Sequence, residues 1–441
     1  MMFRFAATLA LAAAALPDRA EMTIQEVTSP GGITAWLVEE HSIPFIALEI
    51  GFQGGTVLDP TDKRGVGNLM MATIEEGAGD MDAQGFAAAQ EALAATFTFD
   101  IYGDSAHVSG QFLTETKDQA VQLLRTALID TRFDQDAIDR VKGQILSIIA
   151  SDATDPGTIA NTAFNRAAWG PDHPYGTDSN GTPETIAAIT REDVLASWQA
   201  TLVKDRMFVG VVGDITADEL GPMLDRLLGD LPDATLPLPA AASYKMTGGV
   251  EVIDYATPQS IALFGHQGIT QDDPDYFAAF ILNEAVGGGN FASRLMEEVR
   301  EKRGLTYGIG TSLLPLDYGQ LIVGQVASAN DKMSETVKVV QDVWADIATN
   351  GLTDTELADT KTYLTGAYPL RFDGNARIAG QLMGMQMNGF PIDYVKTRNA
   401  KIEAVTTEDI RRVAKRLFRP EDLHFTIVGS PAGLVGAEAE Q

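Results

Sequence analysis

With no cysteine and five scattered histidines, residue types and spacing limit the chemistry open to this chain. The charge run Glu297-Glu298-Val299-Arg300-Glu301-Lys302-Arg303 is followed by Tyr307. Arg300 falls in the last turn before Gly304, the expected left-handed residue, with Tyr307 expected to begin the next strand. The spacing alone also allows a plainer reading, with the run a solvated helix face and Tyr307 a core aromatic. A second acidic group, Glu75-Glu76 with Asp80 and Asp82, reads either as a hard-cation site or as a solvated helix end. It lacks calcium-loop spacing. The five histidines are His41, His107, His173, His266 and His424, and no two are closer than the 66 positions between His41 and His107. None can pair on one helical face as His-x-x-x-His, so no local zinc site is expected from them. His173, within His-Pro-Tyr-Gly, is expected to serve a turn. With no cysteine, thiolate metal sites, thiol nucleophiles and disulfides are excluded.

The elements that must position these residues occur twice. Ala188-Ile189-Thr190-Arg191-Glu192-Asp193-Val194 precedes Phe208-Val209-Gly210-Val211-Val212-Gly213, and Ala404-Val405-Thr406-Thr407-Glu408-Asp409-Ile410 precedes His424-Phe425-Thr426-Ile427-Val428-Gly429. Thr190 to Thr406 and Gly213 to Gly429 both span 216 positions. In each copy a threonine reads as an N-cap with acid in the first turn, then a helix, then a buried strand ended by glycine. Upstream, Ile46-Ala47-Leu48 recurs as Ile261-Ala262-Leu263, and the helix opening at Asp134 recurs as one opening at Thr353. A repeat on this scale is a duplicated domain. Strands with helices segregated to one side predict an α+β class, with two homologous tandem domains of helices packed on a sheet. The proline-rich stretch Leu231 to Lys245 is the natural linker. The expected divisions are 21–235, a linker at 236–246, and 247–435.

At 441 residues, 45% hydrophobic and 21% charged, the composition is globular. A formal net charge of −29 argues against nucleic acid or an anionic membrane as partner and suits solubility or cationic peptides. Arg4, the apolar run Phe5 to Leu16 and Ala13-Ala14-Ala15 read as a signal peptide over approximately residues 1–20. The expected location is periplasmic or secreted, with no membrane span in the mature chain.

Two further stretches carry a family likeness. Ala168-Trp169-Gly170-Pro171-Asp172-His173-Pro174-Tyr175-Gly176 with Thr182-Pro183-Glu184-Thr185-Ile186, and Asn290-Phe291-Ala292-Ser293-Arg294-Leu295 with Val299 to Tyr307, resemble the insulinase-like (pitrilysin or M16-type) zinc metallopeptidases. The resemblance implies paired domains or subunits forming a clamshell around a peptide chamber, this chain supplying half of it. Catalytic members carry His-x-x-Glu-His, whose imidazoles bind zinc while the glutamate acts as general base, and a later glutamate completes the site. Here the equivalent positions are Asn68, Met71 and Ala72 on the stretch Gly65 to Ala72, and the later one is Ile148. No metal or other cofactor is therefore expected in this chain, and zinc is expected in a partner. By the same resemblance Arg300 and Tyr307 are the pair that reaches the active site from the opposite wall. The implied function is a non-catalytic subunit that contacts peptide substrates beside a zinc-bearing catalytic subunit of the same family. The alternative is a non-enzymatic peptide-binding or scaffold protein of the same fold. Gly287-Gly288-Gly289 is expected as a loop permitting close backbone approach.

Overall fold

The computed structural model describes residues 22–288 and 292–434. The expected signal peptide and Gly289, Asn290 and Phe291 lie outside the described residues. Two open sheets dominate. The first runs, edge to edge, Gln25–Thr28, Thr34–Glu39, Met207–Gly213, Phe45–Gln53, Ser105–Leu113, Thr96–Ile101. The second runs Gly249–Asp254, His424–Gly429, Gln259–Gln267, Gly319–Ala329, Ile309–Leu316. Apart from the extra strand at one edge of the first sheet, the two orders are the same. Each has one parallel pair, Thr34–Glu39 with Met207–Gly213 and Gly249–Asp254 with His424–Gly429.

The repeated sequence signals act where they were placed. Thr190 and Thr406 each close a capping box with Asp193 and Asp409, satisfying backbone donors at the starts of the helices Arg191–Thr201 and Thr407–Leu417. The strands that follow end at Gly213 (φ 147°) and Gly429 (φ 150°). A Cβ on Gly213 would stand 2.3 Å from the Phe45 carbonyl oxygen, so side chains are excluded there by close approach as well as by φ.

One apolar core lies wholly within residues 27–231 and a second wholly within 262–427. Two smaller clusters join the halves, and each is built on a helix that crosses over. Helix Pro156–Trp169 of the first half sets Ala160, Phe164, Ala168 and Trp169 against Leu263, Leu321 and Val428 of the second sheet. Helix Asn375–Met387 of the second half sets Ala379, Leu382 and Met385 against Trp36, Val38, Ala47 and Val212 of the first. The halves therefore hold each other by reciprocal helix docking. The segment from Pro232 to Lys245 has no regular secondary structure, with Leu236 49% exposed. Limited proteolysis of the protein is expected to cut first in this segment, where irregular backbone is accessible. The two fragments are expected to stay together through gel filtration under native conditions. Fragments that separate without denaturant would refute the exchanged helices, and a first cut within Thr190 to Gly213 would refute the linker.

Candidate functional site

The segment carrying Arg300 and Tyr307 is built to hold both at the surface. Met296–Glu301 forms a π-helical turn, and its C-terminal end closes through Gly304 N donating to Arg300 O (2.9 Å) and Leu305 N to Val299 O (3.0 Å). Gly304 takes the left-handed conformation (φ 60°), as its position after the helix required. π-Turns of this kind often occur at functional sites, because one extra residue re-aims a side chain. Tyr307 does not begin the next strand. The ladder starts at Ile309, paired with Val326, because the Thr306 hydroxyl donates to the Ala327 carbonyl (2.7 Å) and takes an acceptor the ladder would otherwise use. Gly308 N donates back to Thr306 Oγ1 (3.2 Å). Ser328 Oγ donates to Leu305 O (2.6 Å) and Lys332 Nζ to Gly304 O (3.1 Å). On this anchored bend Tyr307 is 91% exposed, which rules out the core-aromatic reading.

The neighbouring charges are mutually engaged. Lys302 pairs with Glu297 and Glu298, and Arg303 with Glu298, whose carboxyl is held below its usual range by Lys302 first and Arg303 next. Arg294 is clamped in bidentate fashion by Glu356 and also reaches Asp346, so it fastens the segment to the helices behind. Arg300 has an ion pair with Glu301 (3.3 Å), whose side chain is 60% exposed. A solvated pair of this kind is worth little and is readily exchanged for another acceptor. Upstream, Gly287 ends helix Tyr276–Gly287 instead of lying in the expected loop, and a Cβ there would stand 2.5 Å from Thr311 Oγ1.

In the first half, Asn68, Met71 and Ala72 lie on helix Val66–Thr73. Buried Asp59 accepts from Gly65 N (2.9 Å) and Gly67 N (3.1 Å) at its start, and burial pushes the Asp59 carboxyl up to about 7. Asn68 Nδ2 donates to Ser179 O (2.8 Å) and Asn180 Oδ1 (3.1 Å). Met71 is buried in the core, whereas Ala72 and Ile148 are exposed. Of the acids that follow, Glu76 pairs with Arg140, and Asp82 caps helix Ala83–Ala92 by accepting from Gly85 N (2.8 Å). His173 Nδ1 accepts from Tyr175 N (3.1 Å), the expected turn role.

Comparison with known proteins gives a consistent result. The family profile of the peptidase M16 inactive domain matches residues 188–364. A peptidase M16 inactive domain from Pseudomonas fluorescens superimposes with a TM-score of 0.87 at 27% identity, covering 95% of this chain and all of that one. The non-peptidase homolog YmxG of Helicobacter pylori is 24% identical over 89% of this chain and 90% of its own. An uncharacterized zinc protease of Streptomyces coelicolor is 26% identical over 67% of this chain and 66% of its own. Residues 188–364 match the M16 inactive domain, and the chain as a whole shares the fold of a solved M16 inactive-domain structure.

Catalytic M16 proteins imply a zinc ion, and the donor set here does not fit one. Asn68 offers a single amide oxygen, Met71 a thioether facing the core, and Ala72 and Ile148 no donor atom at all. Among the described residues no group of three or more histidines or acids is disposed to hold a metal. The first half instead carries a polar sheet face. Beside the docked helix Asn375–Met387, the register aligns Gly51, His107 and Asp100 across three strands and places Glu49 opposite Ser109, whose hydroxyl donates to Glu49 Oε2 (2.5 Å). Burial pushes the Glu49 carboxyl up and the His107 imidazole down.

Sequence reasoning missed the polar bridge between the halves. Tyr175 Oη donates to Asp104 Oδ1 (2.6 Å) and accepts from Tyr318 N (3.1 Å), while Asp317 N donates to Asp104 Oδ2 (3.1 Å). Of this set only Tyr175 stood in a recognisable motif, and nothing local marked Asp104 or the turn at Asp317.

Proposed function

We propose that this protein is the non-catalytic, substrate-contacting subunit of an exported two-subunit zinc peptidase. A partner of the same family supplies the zinc and the general base. This chain supplies half of the peptide chamber, with Arg300 and Tyr307 directed at the scissile region. The observation that carries the reading is Tyr307 itself: a phenol left 91% exposed on a bend fixed by Thr306, Ser328 and Lys332. Exposure of so large a ring on an anchored loop has no packing purpose, whereas a preorganised donor awaiting an oxyanion needs both exposure and fixation. The polar sheet face with Glu49 and Asp100, in a chain of net charge −29, suits an extended peptide carrying basic residues.

The mature chain alone is expected to hold no stoichiometric zinc and to hydrolyse no peptide. Co-expression with an exported M16 protein bearing an intact His-x-x-Glu-His is expected to give a complex with activity far above that of the partner alone. About one tightly held zinc per chain in the isolated protein would overturn the assignment of roles. A complex that assembles without any gain in activity would leave a scaffold.

A further inference from the structure

The second half contains a cavity whose charge runs against that of the whole molecule. It has a volume of about 280 Å³ and lies between helices Tyr276–Gly287, Asn375–Met387 and Tyr394–Ala404. Aromatic rings form much of its wall, among them Tyr276, Phe280, Tyr368 and the stacked pair Phe390 and Tyr394, whose centroids are 3.9 Å apart. Its charged lining consists of Arg371 and Arg398, with no aspartate or glutamate.

Arg398 is 5% exposed. Its guanidinium lies 4.2 Å from the Tyr368 ring centroid and 5.7 Å from that of Phe280. Nη1 donates to the Leu364 carbonyl and to Asn399 Oδ1, both at 3.1 Å. The Tyr394 hydroxyl lies alongside, and among the described residues no carboxylate pairs with it. Ring faces and a helix-end carbonyl offset part of the cost of burying this charge, but a buried cation without an anion remains unfavourable. Burial pushes the guanidinium's pKa down, the direction expected of such a site.

The helix wall adds a second, independent observation. Gly380 and Gly384 lie four apart on Asn375–Met387 and both line the cavity. A Cβ at either would meet nothing within 4 Å. Gly210 and Gly213, by contrast, sit under closely approaching backbone. Here two helix-weakening residues, each costing about 1 kcal/mol relative to alanine, leave open space.

We propose that this cavity binds a carboxylate carried on an aromatic body, with the anion between Arg398 and Arg371 and the ring among the tyrosines and phenylalanines. The same chemistry is offered by a free aryl carboxylate and by the C-terminal aromatic residue of a peptide.

The test uses the purified mature protein with phenylacetate and N-acetylphenylalanine as carboxylate probes, each against its neutral amide. Calorimetric titration is expected to show saturable one-to-one binding of the acids, with Kd on the order of 0.1–1 mM for ligands of this size, and at least about tenfold weaker binding of the amides. Tighter binding of N-acetylphenylalanine points to a peptide end, and tighter binding of phenylacetate to a free acid. Arg371→Gln, at an exposed position, and Gly384→Met, which fills the space, are each expected to weaken binding about tenfold or more without lowering the melting temperature. Acids and amides binding alike, no saturable binding of either acid, or full binding in both folded variants would overturn the proposal.

Discussion

Replacing Tyr307 with phenylalanine in the proposed complex is expected to lower kcat on the order of 10²-fold, the usual effect of losing one preorganised oxyanion donor. The substitution removes a hydroxyl and little volume. Tyr307 is exposed and the bend is held by Thr306, Ser328 and Lys332, so the fold and zinc content of the complex are expected to stay unchanged. Arg300→Ala is expected to lower kcat and also to raise KM, since a guanidinium gripping a substrate carbonyl acts in the ground state as well. Glu301→Gln is the informative companion. It removes the carboxylate that pairs with Arg300 at 3.3 Å, and it should lower KM or leave it unchanged if that pair is exchanged for substrate. Steady-state kinetics on complexes of verified stoichiometry decide the matter. Wild-type rates from both Tyr307→Phe and Arg300→Ala complexes would leave this chain as a scaffold.

The parts of this architecture that could be read from the sequence are those whose physical cause is local. Thr190 and Thr406 announce their helices because a capping box is complete within four residues, and Gly213 and Gly429 announce the strand ends because each needs a backbone that side chains resist. The lack of imidazole and carboxylate at Asn68, Met71, Ala72 and Ile148 was equally plain, since ligand types are fixed by residue identity. Tyr307 was legible only as a candidate. Its neighbours indicate a helix end, but exposure is a tertiary property, and the sequence could not show that Thr306 would delay the strand by two residues. The exchange of helices was hidden for a related reason. Ala160, Phe164 and Trp169 show that helix Pro156–Trp169 has a buried face, and nothing in that pattern says which sheet covers it. Arg398, one arginine among many, acquires meaning only from the rings and the empty space around it.

The exchange makes its own large prediction, centred on Gly210. This glycine lies in the strand Met207–Gly213, beneath helix Asn375–Met387 from the other half. A Cβ at Gly210 would stand 2.2 Å from the Ala379 carbonyl oxygen and 2.9 Å from Met383 N. Both are backbone atoms within a helix, so neither can swing aside as a side-chain tip would. Gly210 has no left-handed φ, so a branched residue would suit the isolated strand and the whole penalty falls on docking. Gly210→Val is expected to destabilise the protein by about 3 kcal/mol or more, at the upper end for overpacking because the helix must lift off the sheet. That lift would also break the bond from Gln386 Nε2 to Val209 O (2.8 Å). Gly366→Ala, where an added Cβ meets nothing within 4 Å, serves as the control and is expected to be neutral or slightly stabilising. Denaturant unfolding measures both changes. After cleavage in the linker, the Gly210→Val fragments are expected to separate more readily than those of the unsubstituted protein, because one of the two reciprocal docks is impaired. If Gly210→Val unfolds at the same denaturant concentration as the parent, helix Asn375–Met387 does not lie on the first sheet. The relative placement of the halves, and with it the direction in which Tyr307 faces a partner, would then have to be set by Pro156–Trp169 and the Tyr175 bridge alone.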